Sequence, residues 1–159
     1  MTNIYFKRIN EKAIMPTKRS EDAGFDIYTT SDEVVLRPNE TLLFPTGLIS
    51  AFSKKYWIAI KERGSTGKIG LSVRSGVIDS GYRGEWKILL TNVNNVDIVF
   101  TNKFDKVCQN KDGTIYYPLS KAIAQAVLIP LPKARIKKWD DKKIEKSIRG
   151  ETGFGASGK

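Results

Sequence analysis

An aspartate in a glycine-rich segment is the feature of this chain best suited to chemistry. Residues 76–85 read Gly-Val-Ile-Asp-Ser-Gly-Tyr-Arg-Gly-Glu, so Asp79 stands three residues before Tyr82. Glycines allow tight turns and let a backbone approach a ligand closely. An aspartate held in such a turn can accept a proton from water or bind a sugar hydroxyl. The same pattern also fits a β-hairpin whose aspartate only caps the turn.

Three further segments carry groups suited to a charged ligand. Asp26 follows Ala-Gly-Phe at the entry of an apolar run, and Gln125 lies inside the apolar run 122–127. Residues 63–68, Arg-Gly-Ser-Thr-Gly-Lys, offer a guanidinium, hydroxyls and backbone N–H groups, which suit a phosphate. Their spacing is not that of a Walker loop. Taken singly, each segment also fits a structural role: a turn cap, a polar surface loop, or a buried amide with its hydrogen-bond partners.

The amino-acid composition excludes several classes of active site and metal site. The 159 residues fit one domain with a core of its own, and they include no histidine, which excludes Ser-His-Asp, Cys-His and His-ligated metal sites. A single cysteine, Cys108, and the lack of a signal-peptide pattern fit a reducing cytosol. No apolar run approaches the roughly 20 residues of a membrane span. The net charge of +10 suggests a polyanionic partner.

The pattern of short apolar runs and turn residues predicts an all-β fold, a jelly-roll-like barrel or sandwich. A short helix is predicted near 65–68, and a hairpin over 106–118 turns at Lys111-Asp112-Gly113. The predicted strands are 4–9, 33–37, 41–44, 56–61, 86–91, 96–101 and 122–131.

We expect a core over residues 1–132, with an inserted hairpin at about 104–119, and a basic C-terminal arm over 133–159. The arm holds nine Lys or Arg against four Asp or Glu, an excess of five. Residues 149–159 are too rich in glycine to pack a core, so we interpret them as a mobile arm. A lone aromatic there, Phe154, suits a lid that stacks on a planar base.

Taken in order, these segments resemble the motifs of the trimeric dUTP pyrophosphatase (dUTPase) family. The family's marks are Ala-Gly-Tyr/Phe-Asp, an Arg-Ser-Gly loop, Gly-Val-Ile-Asp-x-x-Tyr-x-Gly, Ile-Ala-Gln and an Arg-Gly-x-x-Gly-Phe-Gly-Ser-Thr-Gly tail. The matching segments extend over roughly residues 20–158. The resemblance implies a β jelly roll, a homotrimer with shared active sites, and hydrolysis of dUTP to dUMP and pyrophosphate. It implies Mg²⁺ as cofactor, no membrane partner, no nucleic acid as the main partner, and a cytoplasmic location (the host cytoplasm if the chain is viral).

The resemblance also implies roles for individual residues. Asp79 would hold the sugar 3′-hydroxyl and direct the attacking water, Tyr82 would lie under the deoxyribose, and the hairpin backbone would read uracil. Asp26 would hold Mg²⁺ through water. The substrate-binding set would comprise Arg63, Gly64, Ser65, Gly76, Val77, Ile78, Tyr82, Gln125, Arg149, Phe154, Gly155 and Ser157.

Some positions depart from the family pattern. The phosphate loop reads Arg63-Gly64-Ser65 in place of Arg-Ser-Gly, and the tail has Ala156 where serine is common. A literal Arg-Ser-Gly at 74–76 ends three residues before Asp79, so we interpret it as part of the hairpin and not as a phosphate loop. These departures concern the phosphate contacts and leave the reaction unchanged.

Two other functions are compatible with parts of the sequence. A dCTP deaminase would share the jelly roll. Proteins of that family, however, look to carry a catalytic glutamate ten residues after the hairpin aspartate. Here that position is Leu89, which cannot relay protons. A basic nucleic-acid-binding β-barrel would use the arm, with Trp139 and Phe154 as stacking residues.

Overall fold

The computed structural model describes residues 2–140, 142–145 and 147–148, and these form an all-β structure. One short helix, α1 (Gly64–Lys68), interrupts the strands of the described residues. The strands are β1 (Ile4–Arg8), β2 (Gly24–Ile27), β3 (Val34–Leu36), β4 (Thr41–Pro45), β5 (Leu48–Phe52), β6 (Tyr56–Lys61), β7 (Leu71–Arg74), β8 (Val77–Ile78), β9 (Lys87–Asn92), β10 (Ile98–Thr101), β11 (Cys108–Gln109), β12 (Ile115–Pro118) and β13 (Ala124–Pro130). The prediction of an all-β chain is confirmed.

Four small sheets enclose one hydrophobic core. Their strand orders are β1-β5, β11-β12-β10-β3, β2-β13-β6-β8 and β4-β9-β7. The pairing is antiparallel except between β10 and β12, which run parallel. Strands that are neighbours in a sheet lie far apart in sequence, and such long-range pairing is typical of sandwiches and jelly rolls.

Aromatic side chains fill the centre of the core. Trp86, Tyr117, Phe44 and Phe100 are the largest fully buried side chains. Phe100 packs between two of them, with ring centroids 4.7 Å from Phe44 and 5.4 Å from Tyr117. Alternation along β10, β12 and β4 delivers these rings to one side, which is the period-2 pattern of half-buried strands.

Four strands were not predicted from the sequence. β2, β7 and β8 are two to four residues long; glycine, serine or charged residues interrupt the apolar pattern of β2 and β7, and β8 is too short to show a pattern. β5 alternates between buried and half-buried residues but follows β4 after only Thr46 and Gly47. The turn between them uses Gly47 at a φ of +65°, where a Cβ would collide with Asn10 and Ala13.

The segment around Asp79 is more than a simple hairpin. β7 and β9 pair with each other, from Leu71 opposite Asn92 to Arg74 opposite Leu89. The chain between them leaves that sheet and adds β8 to the edge of β6, in a different sheet. The loop that carries Asp79 is therefore held by two sheets.

The return strand of the second predicted hairpin belongs to the core. β11 and β12 pair antiparallel around a turn at 110–113, in which Gly113 has a φ of +91°. β12 also pairs with β10, and its Tyr117 is completely buried. The part that the hairpin adds at the edge of this sheet is thus β11 and the turn.

No helix in the described part of the chain is long and apolar enough to cross a membrane.

A buried amide at the end of β9 connects β3 to the loop that follows β9. The Asn92 side chain, with 0% of its surface exposed, donates from Nδ2 to the carbonyls of Leu36 (2.9 Å) and Val96 (2.8 Å). Its Oδ1 accepts from the Asn94 N–H at 3.0 Å. A buried amide with every group paired stabilises a fold, and removing it leaves its partners unsatisfied.

We expect Asn92→Ala to lower the free energy of unfolding by about 3 kcal/mol, because two buried carbonyls and one N–H lose their partner. Urea denaturation at a fixed protein concentration measures this. Asn102→Ala, at an exposed asparagine, is the control and should change stability by less than about 0.5 kcal/mol. Equal stability of the two variants would contradict the role of Asn92.

Candidate functional site

The larger of two clefts that contain a predicted charged site residue lies where β2 and β6 end and β13 begins, beside α1. We call it the arginine cleft, and its volume is about 680 Å³. It contains the predicted residues Asp26, Arg63, Gly64, Ser65 and Gln125. The sheet register explains this grouping, since Gln125 of β13 stands between Asp26 of β2 and Lys61 of β6.

Arg63 and Asp26 form a bidentate ion pair at the floor of this cleft. Arg63 donates from Nε to Asp26 Oδ1 at 2.9 Å and from Nη2 to Oδ2 at 3.2 Å. Nη1 also approaches Ser65 Oγ at 3.3 Å. The two side chains are 29% and 34% exposed, so the pair is partly shielded from water but reachable by a ligand. A guanidinium fixed in this way presents its remaining N–H groups in one orientation.

A second hydrogen bond fixes the Gln125 amide. Its Nε2 donates to the Glu62 carbonyl at 2.7 Å, which leaves Oε1 on the side of Gly24. A Cβ at Gly24 would come within 2.6 Å of that Oε1. Gly24 therefore leaves the space that the Gln125 side chain occupies, so both roles considered for Gln125, structural and ligand-binding, remain compatible with its position.

Two cations of this cleft were not predicted from the sequence. Lys18 and Arg19 line it from the loop before β2, together with Asp22. Arg19 pairs with Asp22 through Nε (3.0 Å) and Nη2 (3.0 Å), and these hydrogen bonds hold the pKa of Asp22 below its ordinary value. The loop carries no motif, and only the fold brings it to Arg63. The signal available in the sequence was the adjacent Lys-Arg pair seven residues before Asp26.

The arginine cleft has oxygen donors suited to a hard cation. Asp26 is its carboxylate nearest to Ser65 and Gln125, and a carboxylate that accepts two bonds from arginine keeps further lone pairs. Within the described ranges, no three His, Cys, Asp or Glu side chains are grouped to hold a metal. This donor set fits a Mg²⁺ ion, because Mg²⁺ usually takes most of its ligands from phosphates and water and only one or two from protein carboxylates.

The smaller cleft surrounds the end of β8. We call it the aspartate cleft; its volume is about 200 Å³, and it is lined by Ser75, Val77, Ile78, Asp79, Tyr82, Glu85 and Lys87. Gly76 is not among these lining residues but lies between Ser75 and Val77, against β6: Gly76 accepts from the Ile60 N–H at 2.7 Å, and a Cβ there would meet the Ile60 carbonyl at 2.6 Å. Only glycine allows β8 to approach β6 this closely.

The loop after β8 is folded back on itself. A turn closes from Asp79 to Tyr82, whose N–H donates to the Asp79 carbonyl at 3.1 Å. Tyr82 Oη donates to the Glu85 carbonyl at 3.0 Å while 44% of the side chain stays exposed. Arg83, which was not predicted as a site residue, donates to the Ser80 carbonyl at 2.7 Å and so braces the turn.

Asp79 differs from the aspartates of the arginine cleft. Its side chain is exposed, and no hydrogen bond or ion pair from another described residue engages its carboxylate. Asp22 and Asp26 are each held by an arginine. Asp79 is therefore the carboxylate that is available to act on a ligand or a water molecule.

Within one chain the two clefts are separate. Ile78 pairs with Ile58, whereas Gln125 pairs with Lys61, three residues further along β6 and on its other side. At the usual strand dimensions, the Cα atoms of Ile78 and Gln125 are about 14 Å apart, and Asp79 lies one residue further still. Of the predicted site residues, Arg149, Phe154, Gly155 and Ser157 lie outside the described residues.

The carboxylate of Glu62 ties α1 to β7 beneath the arginine cleft. It accepts from the Val73 N–H at 2.7 Å and from Ser72 Oγ at 3.4 Å. Burial acts to raise the pKa of Glu62, but the hydrogen bonds, led by that from Val73, outweigh it and hold the pKa below the ordinary 4.5. These hydrogen bonds thus fix the position of Glu62, the residue that directly precedes Arg63.

Comparison with known proteins gives one consistent result. The dUTPase family model matches residues 10–110. The deoxyuridine 5′-triphosphate nucleotidohydrolase of Clostridioides difficile is 33% identical over 162 residues, covering 99% of this chain and 99% of that protein. The Pol polyprotein of caprine arthritis encephalitis virus is 29% identical over 147 residues, and the match covers 92% of this chain but 11% of that protein.

Solved structures of dUTPases have a fold similar to that of this chain. A mutant dUTPase of Staphylococcus bacteriophage 80alpha, solved with dUpNHpp, superposes with a TM-score of 0.78 at 25% identity, covering 98% of both chains. A mutant dUTPase of phage phi11 of S. aureus, described with a structural Mg(II) ion, gives a TM-score of 0.71 at 21% identity over 89% of this chain and 99% of that one. The jelly-roll-like fold predicted from the sequence is confirmed by this likeness.

We expect Glu62→Gln to make the free energy of unfolding depend less on pH in the acidic range. Because the folded pKa lies below that of the unfolded chain, the Glu62 carboxylate stabilises the fold above about pH 4.5, and this contribution is lost as the pH falls through the lowered pKa. Urea midpoints should therefore favour the wild type at pH 7 and converge with those of the variant near pH 3. Glu11→Gln, at an exposed glutamate, is the matched control and should follow the wild type throughout. A constant difference at all pH values would contradict the ionic role.

Proposed function

The chain belongs to the dUTPase family and hydrolyses dUTP, and we propose that Asp79 directs the attacking water to the α-phosphate, releasing dUMP and pyrophosphate. The observation that carries this proposal is the unengaged, exposed carboxylate of Asp79 beside Tyr82. Water attack on a phosphate needs positioning and charge neutralisation more than a strong protein nucleophile. An aspartate suffices to orient the water, so the absence of histidine is no obstacle.

The aspartate cleft is the proposed nucleoside site. The backbone of Gly76, Val77 and Ile78 is held against β6 and would read the uracil edge by hydrogen bonds. Tyr82, braced by the Glu85 carbonyl, would lie under the deoxyribose and leave no room for a 2′-hydroxyl. Asp79 would hold the 3′-hydroxyl as well as the water. Holding the sugar would place Asp79, the general base, at a fixed distance from the α-phosphate.

The arginine cleft is the proposed phosphate site. Arg63 would use the N–H groups that Asp26 does not occupy, Ser65 its hydroxyl, Gly64 its backbone N–H, and Gln125 its amide. The hydroxyl stands one position later than in the family's Arg-Ser-Gly, but Arg63 Nη1 already lies 3.3 Å from Ser65 Oγ, so the pair can act together. Lys18 and Arg19 add positive charge at the rim of the same cleft.

A divalent cation completes the proposed phosphate site. Asp26 would hold Mg²⁺ through water, and the ion would supply charge neutralisation on the phosphate oxygens when bound. The donor set described above fits this role. The protein's own part is to keep the Asp26 carboxylate oriented, which the two hydrogen bonds from Arg63 achieve.

We propose that the working unit is a homotrimer in which neighbouring copies bring the two clefts together. The separation of about 14 Å or more within one chain supports this arrangement, because a single α-phosphate must meet both Asp79 and the phosphate-binding groups. Residues 133–159 would form an arm distinct from the 1–132 core, and Arg149, Phe154, Gly155 and Ser157 would close over the nucleotide as a lid. The proposed location is the cytoplasm.

Asp79→Asn should reduce kcat about 10²- to 10⁴-fold, because the amide cannot accept the proton of the attacking water. Pyrophosphate release from dUTP with Mg²⁺ measures the effect. Asp105→Asn, at an exposed aspartate away from both clefts, should retain wild-type rates. Full activity of Asp79→Asn would refute the assignment of the base.

Mixing two inactive variants tests whether the site is shared. In randomly reassembled trimers of Asp79→Asn and Arg63→Ala chains, about one site in four would combine an intact Asp79 with an intact Arg63 from a neighbour. Activity should therefore recover to about a quarter of the wild-type rate. Each variant reassembled with itself is the control and should stay inactive. No recovery, with subunit exchange proven by mass spectrometry, would place both residues of a site in one chain.

A substrate panel distinguishes this activity from that of a deaminase. dUTP, dTTP, dCTP and UTP are incubated with Mg²⁺, and both pyrophosphate and ammonia are measured. We expect pyrophosphate from dUTP alone among the four. Ammonia from dCTP would favour the deaminase, although Leu89, half-buried in β9 opposite Leu43, offers that chemistry no proton donor.

A further inference from the structure

A basic segment follows the last strand and lies outside both clefts. Residues 133–143 include six cations, which are Lys133, Arg135, Lys137, Lys138, Lys142 and Lys143. All six are exposed, and residues 131–140 form neither helix nor strand. The backbone leaves the core at Leu131, whose N–H donates to the Lys55 carbonyl at 2.7 Å. The segment thus presents a dense row of positive charge on a backbone that forms neither helix nor strand over residues 131–140.

The first four cations are not used in ion pairs with described residues. Lys143 pairs with Asp140 at 3.1 Å, but no ion pair to a described carboxylate includes Lys133, Arg135, Lys137 or Lys138. Four like charges within six residues repel one another at short range. Such a run is stabilised when an anion is added, because the repulsion is then replaced by attraction.

The core of another copy of the chain is a poor partner for these charges. Residues 133–159 carry an excess of five positive charges, and the remaining 132 residues carry the other five of the net +10. An arm that reached across a neighbouring core would therefore meet a surface of the same net sign. The role proposed for the lid residues, which lie after this segment, does not require its cations either.

The shape of the segment favours a nucleic acid over a lipid surface. A membrane-bound basic segment typically folds as an amphipathic helix with a continuous apolar face. Here residues 131–140 form no helix, and the larger apolar side chains between the cations are Ile136 and Trp139. Trp139 is 68% exposed and follows Lys138 directly. A non-helical segment with cations and an aromatic ring suits a single strand, whose phosphates pair with the cations and whose bases stack on the ring.

We propose that residues 133–139 bind single-stranded nucleic acid through phosphate contacts of Lys133, Arg135, Lys137 and Lys138 and stacking of a base on Trp139. This activity is independent of dUTP hydrolysis. It makes the segment a second binding site of the same chain.

Fluorescence anisotropy with a labelled 20-nucleotide DNA strand tests the proposal. If four cations contact phosphates, affinity should fall about 50-fold between 50 and 200 mM salt, since each contact adds about 0.7 to the logarithmic slope for single strands. The quadruple variant Lys133→Gln, Arg135→Gln, Lys137→Gln, Lys138→Gln should lose most of this salt dependence and at least tenfold in affinity at 100 mM salt. Trp139→Ala should lose a further factor of about 5 to 150, and Trp139→Phe much less.

A charge-matched control separates this site from the general charge of the protein. The control replaces four exposed lysines of the core by glutamine, Lys54, Lys55, Lys106 and Lys111, and should bind the strand almost as the wild type does. Excess dUMP should not displace the DNA, because the site lies outside both clefts. Equal losses in the two quadruple variants, displacement by dUMP, or binding to vesicles with 20% phosphatidylserine but not to DNA would each overturn the proposal.

Discussion

The register of one four-stranded sheet determines what a single copy of this chain can do. In the sheet β2-β13-β6-β8, Gln125 and the end of β6 lie beside the arginine cleft, whereas β8 leads to Asp79 near the start of β6. Strand dimensions then fix the distance between the two clefts, and no side-chain rotation can close a gap of about 14 Å. The same hydrogen bonds that stabilise the sheet therefore keep the two clefts of one chain apart.

Each half is organised in a different way. In the arginine cleft, carboxylates hold guanidinium groups in place: Asp26 fixes Arg63 and Asp22 fixes Arg19, each by two hydrogen bonds. In the aspartate cleft, backbone contacts fix the loop, with Gly76 against Ile60 and the turn from Asp79 to Tyr82 closed by a hydrogen bond. The first arrangement orders the guanidinium groups, and the second leaves the Asp79 carboxylate exposed and outside any ion pair with a described residue. Ordering these groups before the ligand arrives lowers the entropic cost of binding.

The sequence predicted the parts of the fold that depend on local pattern. Strands β6, β9, β10 and β13 are long apolar or alternating runs, so their periodicity identifies them. Strands such as β8 could not be predicted, because two residues carry no period and β8 exists through its pairing with β6. The same holds in the site. Arg63 and Gln125 stand in recognisable segments, whereas Lys18, Arg19 and Arg83 belong to the clefts only because the fold brings distant loops together.

The ion pair between Arg63 and Asp26 also limits what the arginine cleft can bind. The cleft contains three cations, Lys18, Arg19 and Arg63, and two anions, Asp22 and Asp26. Its net charge is therefore +1, an excess of one positive charge. A triphosphate carries more negative charge than this excess neutralises, and Asp22 and Asp26 oppose it at close range. The cleft therefore requires a further cation for a triphosphate, whether a divalent ion near Asp26 or a guanidinium from the arm. This shortage of positive charge in the arginine cleft is the electrostatic counterpart of the separation between the two clefts of one chain. Both observations support the proposal that a complete site needs a further cation and a neighbouring copy of the chain.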